Sequence, residues 1–346
     1  MKSREELCSF ARESLGLAPN DAVEILPLEG RGSDRTYYRI RWQPDQSAIL
    51  VHYRPVRIEN AYYADIALFL QENGIPVPQI FRHDRGGSLI LMKDLGDTDL
   101  WSLRNEPWEI RRSYYQKTLK IVHKLHSYPE ALFPFNRVTL TEAFGPSLYR
   151  WEREYFKDHF IKELCGIKLE PDFCRRMETE LAALAEKLSS HRRSLVHRDL
   201  QSQNVMIYLD EPFLIDFQGM RFGTPFYDLG SLLCDPYVRL SEGERKELLR
   251  FYYGLSKPEL DWRAFQNAFW EASAQRLMQA LGAYGFLAGT RGLKNYLLHV
   301  PGGIRNLRAT AENIVAMPVL LDVCVRCEAA IEDSKFEIQD SKLQGL

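Results

Sequence analysis

The first quarter of the chain alternates short apolar segments with turns, a pattern that predicts a small β-rich region. Across residues 36–42, Thr, Tyr, Ile and Trp alternate with Tyr and Arg, which is the two-residue period of a half-buried strand. Three short apolar runs predict further strands, at residues 23–28, 48–53 and 88–92. Apolar positions from residue 62 to 70 instead recur at helical spacing, and this one helix is expected to stop at Gly74.

Helical spacing dominates the rest of the chain. Three amphipathic stripes are expected to be the buried faces of helices: Tyr114, Thr118, Ile121 and Leu125; Leu148, Trp151, Tyr155 and Phe156; Met177, Leu181, Leu184 and Leu188. A short β-rich segment interrupts these helices, with strands expected at residues 195–196, 205–208 and 213–215. The turn-favouring residues Asp210, Glu211 and Pro212 predict a hairpin between the last two strands.

Size, charge and cysteine content restrict the classes of function. The chain has 346 residues and a formal net charge of -2, so its charge favours neither nucleic acid nor an anionic membrane as a partner. Its apolar runs are far shorter than a bilayer span, and the first six residues lack the apolar core of a signal peptide. Six scattered cysteines do not suggest a disulfide framework, and for Cys324 and Cys327 packing in a helix is favoured over a metal or redox role. We expect a cytoplasmic protein with a small-molecule partner and leave its oligomeric state open.

The strongest chemical signal is the segment Leu-Val-His-Arg-Asp-Leu-Gln-Ser-Gln-Asn at residues 195–204, followed by Ile-Asp-Phe-Gln at 215–218. Phosphoryl transfer needs a carboxylate that accepts the proton of the attacking hydroxyl, and Asp199 is placed for that role. It also needs hard oxygen ligands for Mg²⁺, which Asn204 and Asp216 supply. His197 belongs to the same catalytic loop, where a bracing hydrogen bond is favoured over proton transfer.

Two alternatives compete with this interpretation. Asp199, Asn204 and Asp216 each belong to a residue type that caps surface turns, but an acid, an amide and an acid flanked by short apolar strands favour catalysis. His-Arg-Asp also occurs in protein kinases. Only twelve positions separate Asp216 from Asp228, which leaves no room for an activation segment ending in Ala-Pro-Glu, so a protein kinase is disfavoured.

These signals predict an α+β, two-lobed, protein-kinase-like fold with a small β-rich N-lobe and a larger, mainly helical C-lobe. The N-lobe is expected to span residues 1–95 and to carry the nucleotide-binding sheet and helix. The C-lobe, residues 96–346, is expected to carry the catalytic loop, the metal site and the substrate-binding helices. ATP and Mg²⁺ are the expected cofactors.

Two further segments are candidates for nucleotide binding. A glycine-rich loop between two predicted strands allows backbone N–H groups to approach phosphates; its candidate residues are Gly30, Gly32, Ser33 and Asp34. The segment after the strand at 88–92 is expected to pair its backbone with the adenine edge, through Met92, Lys93 and Asp94. The competing interpretations are an ordinary β-turn for the first segment and a plain connector for the second.

The third predicted strand departs from the usual kinase pattern. It ends without a lysine, at His52-Tyr53-Arg54, and the following helix core has no glutamate. Arg54 and His52 are candidates to reach a phosphate, although an arginine differs from a lysine in reach and shape. The departure leaves open an ATP-binding regulator without turnover, but the intact trio Asp199, Asn204 and Asp216 favours an enzyme.

The motifs resemble the aminoglycoside phosphotransferase and choline kinase superfamily, whose catalytic loop is His-x-Asp-x-x-x-x-Asn with a later Ile-Asp-Phe or Ile-Asp-Trp. Residues 225–233 are similar to the helix that follows in that superfamily, and the resemblance makes Asp228 a structural support for the catalytic loop. Within the superfamily, the chain resembles the bacterial anomeric kinases of N-acetylmuramate and N-acetylglucosamine. Six segments carry this likeness: residues 32–39, 74–78, 215–218, 227–237, 275–282 and 296–301.

The resemblance implies that ATP phosphorylates the anomeric hydroxyl of an N-acetylated amino sugar, with Asp199 orienting that hydroxyl. Gln218, Arg221 and Asp235 are then candidate substrate contacts. An arginine fork suits the carboxylate of N-acetylmuramate, although Arg221 fits a loop ion pair equally well. The alternatives left open are a kinase of an aminoglycoside, a choline-like compound or another amino alcohol, and the regulator. The sugar, the attacked hydroxyl and the preference for ATP over GTP also stay open.

Overall fold

A computed structural model describes residues 2–28 and 34–333 of the chain. The predicted loop residues Gly30, Gly32 and Ser33 therefore lie outside the described residues.

The strands in chain order are β1 (Glu24–Leu28), β2 (Thr36–Gln43), β3 (Gln46–His52), β4 (Ile80–Asp84), β5 (Leu89–Lys93), β6 (Ser194–Val196), β7 (Val205–Tyr208), β8 (Glu211–Leu214) and β9 (Arg221–Gly223). The α-helices are α1 (Arg4–Leu15), α2 (Tyr63–Glu72), α3 (Trp108–His126), α4 (Pro146–Tyr155), α5 (Pro171–Ser190), α6 (Phe226–Leu233), α7 (Glu242–Ser256), α8 (Trp262–Gly289), α9 (Val300–Glu312) and α10 (Pro318–Asp333). Within these described ranges, no helix is long and apolar enough to cross a membrane.

The chain forms two compact units that are not simple halves of the sequence. The first consists of Met1–Glu142 together with His197–Arg221, and the second of Ala143–Val196 together with Phe222–Leu346. The first unit therefore joins the β-rich region to the segment that contains the predicted catalytic loop. The functional lobe boundary at residue 95 stays a prediction.

A five-stranded antiparallel sheet in the order β1-β2-β3-β5-β4 forms the centre of the first unit. One of its faces packs on α1, and this core contains Phe10, Ile25, Ile40 and Leu50. Neighbouring strands pair Ile40 with Ala48 and Ile25 with Ile40, so these side chains share a face. The alternation predicted for residues 36–42 is thus confirmed as a strand with one apolar face.

The expectation of a single helix in this region was wrong, because α1 precedes the first strand. Ser3 and Glu6 form a capping box: the Ser3 side chain accepts from the Glu6 N–H, and Glu6 accepts from the Ser3 N–H. This Ser-x-x-Glu signature is visible in the sequence. Strand β4 was also missed, because none of its five residues is fully buried and its short sequence lacks a clear two-residue period.

Strands β7 and β8 form the predicted hairpin, but its turn lies earlier than expected. Leu209 and Asp210 have positive φ values of 49° and 63°, which are typical of a two-residue type I′ turn. Pro212 is consequently a strand residue paired with Ile207, not a turn residue. The ammonium group of Lys117 on α3 contacts the Asp210 carboxylate at 3.0 Å and holds the turn in place.

The helical second unit confirms one predicted stripe and corrects another. Met177, Leu181, Leu184 and Leu188 are all buried on α5. On α4 the buried face instead contains Tyr149, Glu152 and Arg153. Trp151 is 49% exposed and stacks on Tyr155, so its assignment to the helix core was wrong. In the first unit, Thr118 and Leu125 are buried on α3 as expected, whereas Tyr114 and Ile121 are only half-buried. The rest of that buried face contains Tyr115, Leu119 and Val122.

Buried polar contacts explain why the α4 face is not apolar. The Glu152 carboxylate is buried, and it accepts hydrogen bonds from the Tyr227 hydroxyl at 2.8 Å and from Gln275 Nε2 at 2.9 Å. Tyr227 lies on α6 and Gln275 on α8, so this carboxylate links three helices of the second unit. A buried carboxylate is tolerated only when it is hydrogen-bonded in this way, and hydrophobic periodicity alone does not predict it.

Candidate active site

The catalytic-loop segment is bonded to the chain that leads into Asp216. Buried His197 donates from Nε2 to the Ile215 carbonyl oxygen at 2.9 Å. The Ile215 N–H in turn donates to the carbonyl oxygen of Asn204 at 3.0 Å. These two bonds hold the loop beside the residue that precedes Asp216. His197 therefore makes the kind of bracing contact that the sequence analysis favoured, while a role in proton transfer stays a prediction.

Asp199 lies in a tightly bonded turn. Its carbonyl oxygen accepts from the Gln201 N–H at 2.9 Å and from Asn204 Nδ2 at 2.9 Å. The preceding residue, Arg198, has a φ of 80°, a left-handed conformation that costs free energy for a residue with a side chain. The Arg198 guanidinium is paired with the Asp199 carboxylate. A partly exposed carboxylate on such a fixed loop is suited to accept a proton from a bound hydroxyl.

Asn204 and Asp216 have the side-chain chemistry that a magnesium ion needs. The Asn204 side chain donates through Nδ2 to the Asp199 carbonyl oxygen, a contact that does not use its amide oxygen. Asp216 supplies a carboxylate, and the Ile215–Asn204 backbone bond brings its chain segment alongside. Amide and carboxylate oxygens are hard ligands of the type that Mg²⁺ prefers. Nucleotide phosphates and water complete such a site in phosphotransferases that carry few protein ligands.

Asp216 has two protein partners that sequence reasoning did not assign to it. Its backbone adopts a left-handed φ of 64° at the start of a short 3-10 turn, Phe217–Gly219. Gln218 Nε2 donates to its Oδ1 at 3.0 Å, and the guanidinium of Arg35 pairs with the same oxygen. Gln218 was expected to contact substrate, and the contact seen in the structure is with the carboxylate of the proposed metal ligand.

Aromatic rings surround the base of this site. Phe217, fully buried, stacks on Tyr63 with ring centroids 4.4 Å apart and meets His197 edge-on at 6.5 Å. Burial raises the pKa of the Tyr63 hydroxyl well above its usual range, and the nearby Tyr37 and Asp216 act in the same direction. These rings form an aromatic contact around Phe217, the residue that follows Asp216.

Arg35 is the functional candidate that the sequence analysis missed. It lies directly before β2, and its guanidinium is 5.7 Å from the ring centre of Tyr37. Its position beside the glycine-rich loop was the signal available in the sequence. Arg35 also belongs to segment 32–39, which resembles the anomeric kinases, but that resemblance gave it no role. Asp34, the neighbouring candidate, contacts Asn60 Nδ2 at 3.5 Å and Arg57 at 3.8 Å. Arg54 is exposed after β3, and its proposed nucleotide contact stays a prediction.

The predicted adenine-binding segment is held by a charged network. Arg39 on β2 donates from Nε to Asp94 Oδ2 at 2.6 Å and from Nη2 to Asp97 Oδ1 at 2.8 Å. The Ser47 hydroxyl also donates to Asp94 Oδ2, at 2.7 Å. The side chain of Asp94 thus anchors the segment that follows β5. A side chain so engaged leaves any nucleotide contact of Asp94 to its backbone, as the sequence analysis supposed.

The backbone of Met92 and Lys93, which precedes Asp94, is already partly hydrogen-bonded within the sheet. Strand β5 lies between β3 and β4, and the Lys93 N–H donates to the Gln79 carbonyl oxygen at 2.8 Å. The Lys93 ammonium lies 4.4 Å from the ring centre of Tyr208. The Lys93 N–H therefore already has a hydrogen-bond acceptor within the protein. The nucleotide contacts of Met92 and Lys93 stay predictions.

The chain matches a known enzyme family over more than half of its length. Residues 24–266 match the family described as "Phosphotransferase enzyme family", a range that contains the catalytic loop and all of Asp199, Asn204 and Asp216. The chain belongs to this phosphotransferase family. The enzyme class predicted from the sequence is thereby confirmed.

Individual relatives of this phosphotransferase agree with that placement. An N-acetylmuramate/N-acetylglucosamine kinase of Pseudomonas aeruginosa is 25% identical over 314 residues, which cover 86% of each chain. A choline/ethanolamine kinase family protein from Mesorhizobium loti has a similar structure, with a TM-score of 0.61 and 16% identity over 92% of this chain and 99% of the other. An aminoglycoside phosphotransferase crystallised with ADP has a TM-score of 0.59 and 14% identity, over 90% of this chain and 100% of the other. The expected α+β, protein-kinase-like fold is confirmed, and the phosphotransferase is an enzyme of the kinase type.

The remaining candidates lie in different parts of the phosphotransferase. Arg221 closes the first unit, where its Nε donates to the Gly219 carbonyl oxygen at 3.0 Å. Asp235 and Asp228 belong to the second unit, and both are buried. The Asp235 carboxylate accepts from the Tyr237 N–H at 2.9 Å. The substrate contacts proposed for Arg221 and Asp235 and the supporting role of Asp228 stay predictions.

Proposed function

We propose that this kinase transfers the γ-phosphoryl group of magnesium-bound ATP to the anomeric hydroxyl of an N-acetylated amino sugar. The observation that carries the proposal is the bonding of the three key segments in the first unit. Asn204 holds the Asp199 carbonyl oxygen through its side chain and the Ile215 N–H through its backbone. A base candidate and two metal-ligand candidates are therefore parts of one hydrogen-bonded structure.

In this proposal, the role of each residue follows from the chemistry of its side chain. The Asp199 carboxylate accepts a hydrogen bond from the attacking sugar hydroxyl, orients it and takes its proton as the new O–P bond forms. The bond between the γ-phosphorus and its bridging oxygen breaks in the same transfer, and ADP leaves with that oxygen. Asn204 and Asp216 hold the magnesium ion, which when bound neutralises charge on the phosphates. Gln218, bonded to Asp216 Oδ1, fixes the orientation of that carboxylate. Because this chemistry is mostly positioning, small displacements of these groups are expected to reduce turnover strongly.

The substrate class is supported by the relatives rather than by a contact in this chain. The P. aeruginosa relative, whose name specifies N-acetylmuramate and N-acetylglucosamine, covers 86% of this chain at 25% identity. The anomeric position is what the sequence resemblance implies. The alternative is an amino-alcohol or aminoglycoside substrate, supported by fold similarity to a choline/ethanolamine kinase family protein at 16% identity.

An ADP-release assay on the purified full chain tests the proposal. Mg-ATP is supplied with N-acetylglucosamine, N-acetylmuramate, kanamycin or choline as the acceptor. We expect turnover with one or both amino sugars and a loss of at least about a thousandfold in Asp199→Asn, in line with the loss of a general base together with its positioning role. Asp172→Asn serves as the matched control, because Asp172 is an exposed carboxylate paired with Arg175 on α5 of the second unit.

Each other outcome rejects a defined part of the proposal. Turnover on choline or kanamycin alone rejects the sugar. Activity that persists in Asp199→Asn rejects that residue as the base. Nucleotide binding without turnover on any acceptor favours the regulator.

A further inference from the structure

Arg35 and Asp216 form a largely buried ion pair at the proposed metal site. The Arg35 side chain is 10% exposed and the Asp216 side chain 28%. An arginine side chain stays protonated in proteins. Arg35 is therefore a permanent positive charge with little access to water. Such a charge is stable only while it has an anionic or hydrogen-bonding partner.

Three other arginines of the first unit have different positions, and the guanidinium of one of them, Arg198, is paired with Asp199. Arg39 is bonded to Asp94 and Asp97, and Arg54, the candidate from the sequence, is exposed. Strand β3 ends at His52 without a lysine. A nucleotide with several negative phosphate oxygens needs positive charge beside its metal ion. In the described part of the chain, Arg35 is the guanidinium that is bonded to Asp216.

A bound metal ion changes the charge around this pair. Asp216 Oδ1 accepts from both Arg35 and Gln218, and its second oxygen, Oδ2, can give a lone pair to Mg²⁺. A cation bound there weakens the attraction between the carboxylate and Arg35 and repels the guanidinium. The phosphate oxygens that arrive with the metal offer the guanidinium a new anionic partner of suitable, forked geometry.

We propose that Arg35 is a phosphate-binding side chain that exchanges Asp216 for the nucleotide phosphates when the magnesium-nucleotide complex binds. It supplies the positive charge that the missing third-strand lysine would have supplied. Without nucleotide, the pair keeps Arg35 neutralised and Asp216 oriented. The inference rests on the proposed function only in that the site binds a nucleotide; it does not depend on which acceptor is phosphorylated.

A double-mutant cycle on metal-free nucleotide binding tests this exchange. The dissociation constant for ATP is measured in EDTA, by calorimetry on the full chain, for wild type, Asp216→Asn, Arg35→Gln and the double variant. Asp216→Asn releases Arg35 to the phosphates, so we expect binding to become tighter by about tenfold, the scale of one charge-assisted hydrogen bond. In the Arg35→Gln background, the same Asp216 change is expected to alter affinity by less than about twofold.

Control variants keep the test interpretable. Arg41→Gln removes an exposed arginine from β2, the strand that begins directly after Arg35, and we expect it to change metal-free affinity less than about twofold, because exposed charges are screened. Arg35→Lys replaces Arg35→Gln if the glutamine variant fails to fold, as judged by circular dichroism. Lysine keeps the charge but not the fork, so it is expected to retain only part of the tightening caused by Asp216→Asn.

Two results would overturn the exchange. If Asp216→Asn tightens binding equally with and without Arg35, the effect is only the loss of a negative charge near the phosphates. If Asp216→Asn leaves metal-free affinity unchanged, Arg35 does not bind the nucleotide phosphates when it is released from Asp216. Either result leaves the proposed function intact when the wild type still binds and uses Mg-ATP. Absence of nucleotide binding by the wild type, with and without metal, rejects both proposals.

Discussion

The substitution Arg39→Met removes two ion pairs that anchor the segment after β5, one with Asp94 and one with Asp97. Arg39 is buried, and its guanidinium donates to both Asp94 and Asp97. The two carboxylates differ in environment: the Asp94 side chain is 6% exposed, whereas that of Asp97 is 80% exposed. The same arginine therefore makes one buried ion pair and one surface ion pair, which are expected to differ in energy.

The magnitudes follow from that difference. Removing one partner of a buried ion pair costs about 3–5 kcal/mol, but Asp94 keeps bonds from the Ser47 hydroxyl and the Gly96 N–H. We therefore expect Arg39→Met to lower the free energy of unfolding of the first unit by about 3 kcal/mol. Double-mutant cycles should give a coupling of about 2 kcal/mol for Arg39 with Asp94. For Arg39 with Asp97 the coupling should stay below about 1 kcal/mol.

Amide hydrogen exchange measured by mass spectrometry is the suitable assay. A chain with two compact units need not unfold in one step, so peptides from β2 and β5 report the first unit directly. Urea unfolding followed by circular dichroism gives the corresponding global change. Arg41→Met is the matched control, because Arg41 is exposed on the same strand and should cost less than about 0.5 kcal/mol.

Two outcomes would refute this reasoning. One is equal coupling of Arg39 to Asp94 and to Asp97, which would mean that burial does not determine the strength of these pairs. The other is a cost of less than about 1 kcal/mol for Arg39→Met, which would mean that the network is dispensable for the sheet.

Two further predictions concern pH and helix packing. The hydrogen bond from Arg39 lowers the pKa of Asp97 below its ordinary value of 3.8. The stability that this pair adds is therefore present above that value and is lost as pH falls through the lowered pKa. The difference in unfolding free energy between wild type and Arg39→Met should shrink below about pH 4, and a constant difference down to pH 2 would contradict this. A methyl group at Gly285 on α8 would overlap the His159 carbonyl oxygen, so Gly285→Ala should cost about 1–3 kcal/mol in urea unfolding. Gly254→Ala on α7, where nothing lies within 4 Å, should instead stabilise by about 0.5–1 kcal/mol; the same sign for both glycine variants would contradict the packing argument.

The sequence predicted those features that depend on neighbouring residues. The two-residue period of β2 and the apolar runs of β1, β3 and β5 identify strands without tertiary information. The capping box of Ser3 and Glu6 also marked a helix, although it was not used. The catalytic loop was identified because its acid, amide and flanking apolar residues are close in sequence.

Contacts between distant residues could not be predicted in this way. Arg35 and Asp216 are separated by 181 positions, and nothing in the local pattern of either one names the other. The buried carboxylate of Glu152 likewise depends on Tyr227 and Gln275 from two other helices. An interior polar network of this kind interrupts hydrophobic periodicity, so the predicted face of α4 was displaced onto the exposed Trp151. Tertiary partners decide such positions, and a single sequence does not contain them.

Phosphorus-31 NMR of the reaction products tests the central claim most directly. The wild-type chain is incubated with Mg-ATP and either N-acetylglucosamine or N-acetylmuramate, in parallel with Asp199→Asn, and the sugar that is turned over is used for the comparison. The account predicts a new phosphomonoester signal coupled to the anomeric proton with the wild type, and no such signal over the same time with the variant. A phosphate attached to another hydroxyl, or an undiminished anomeric signal from Asp199→Asn, would contradict it.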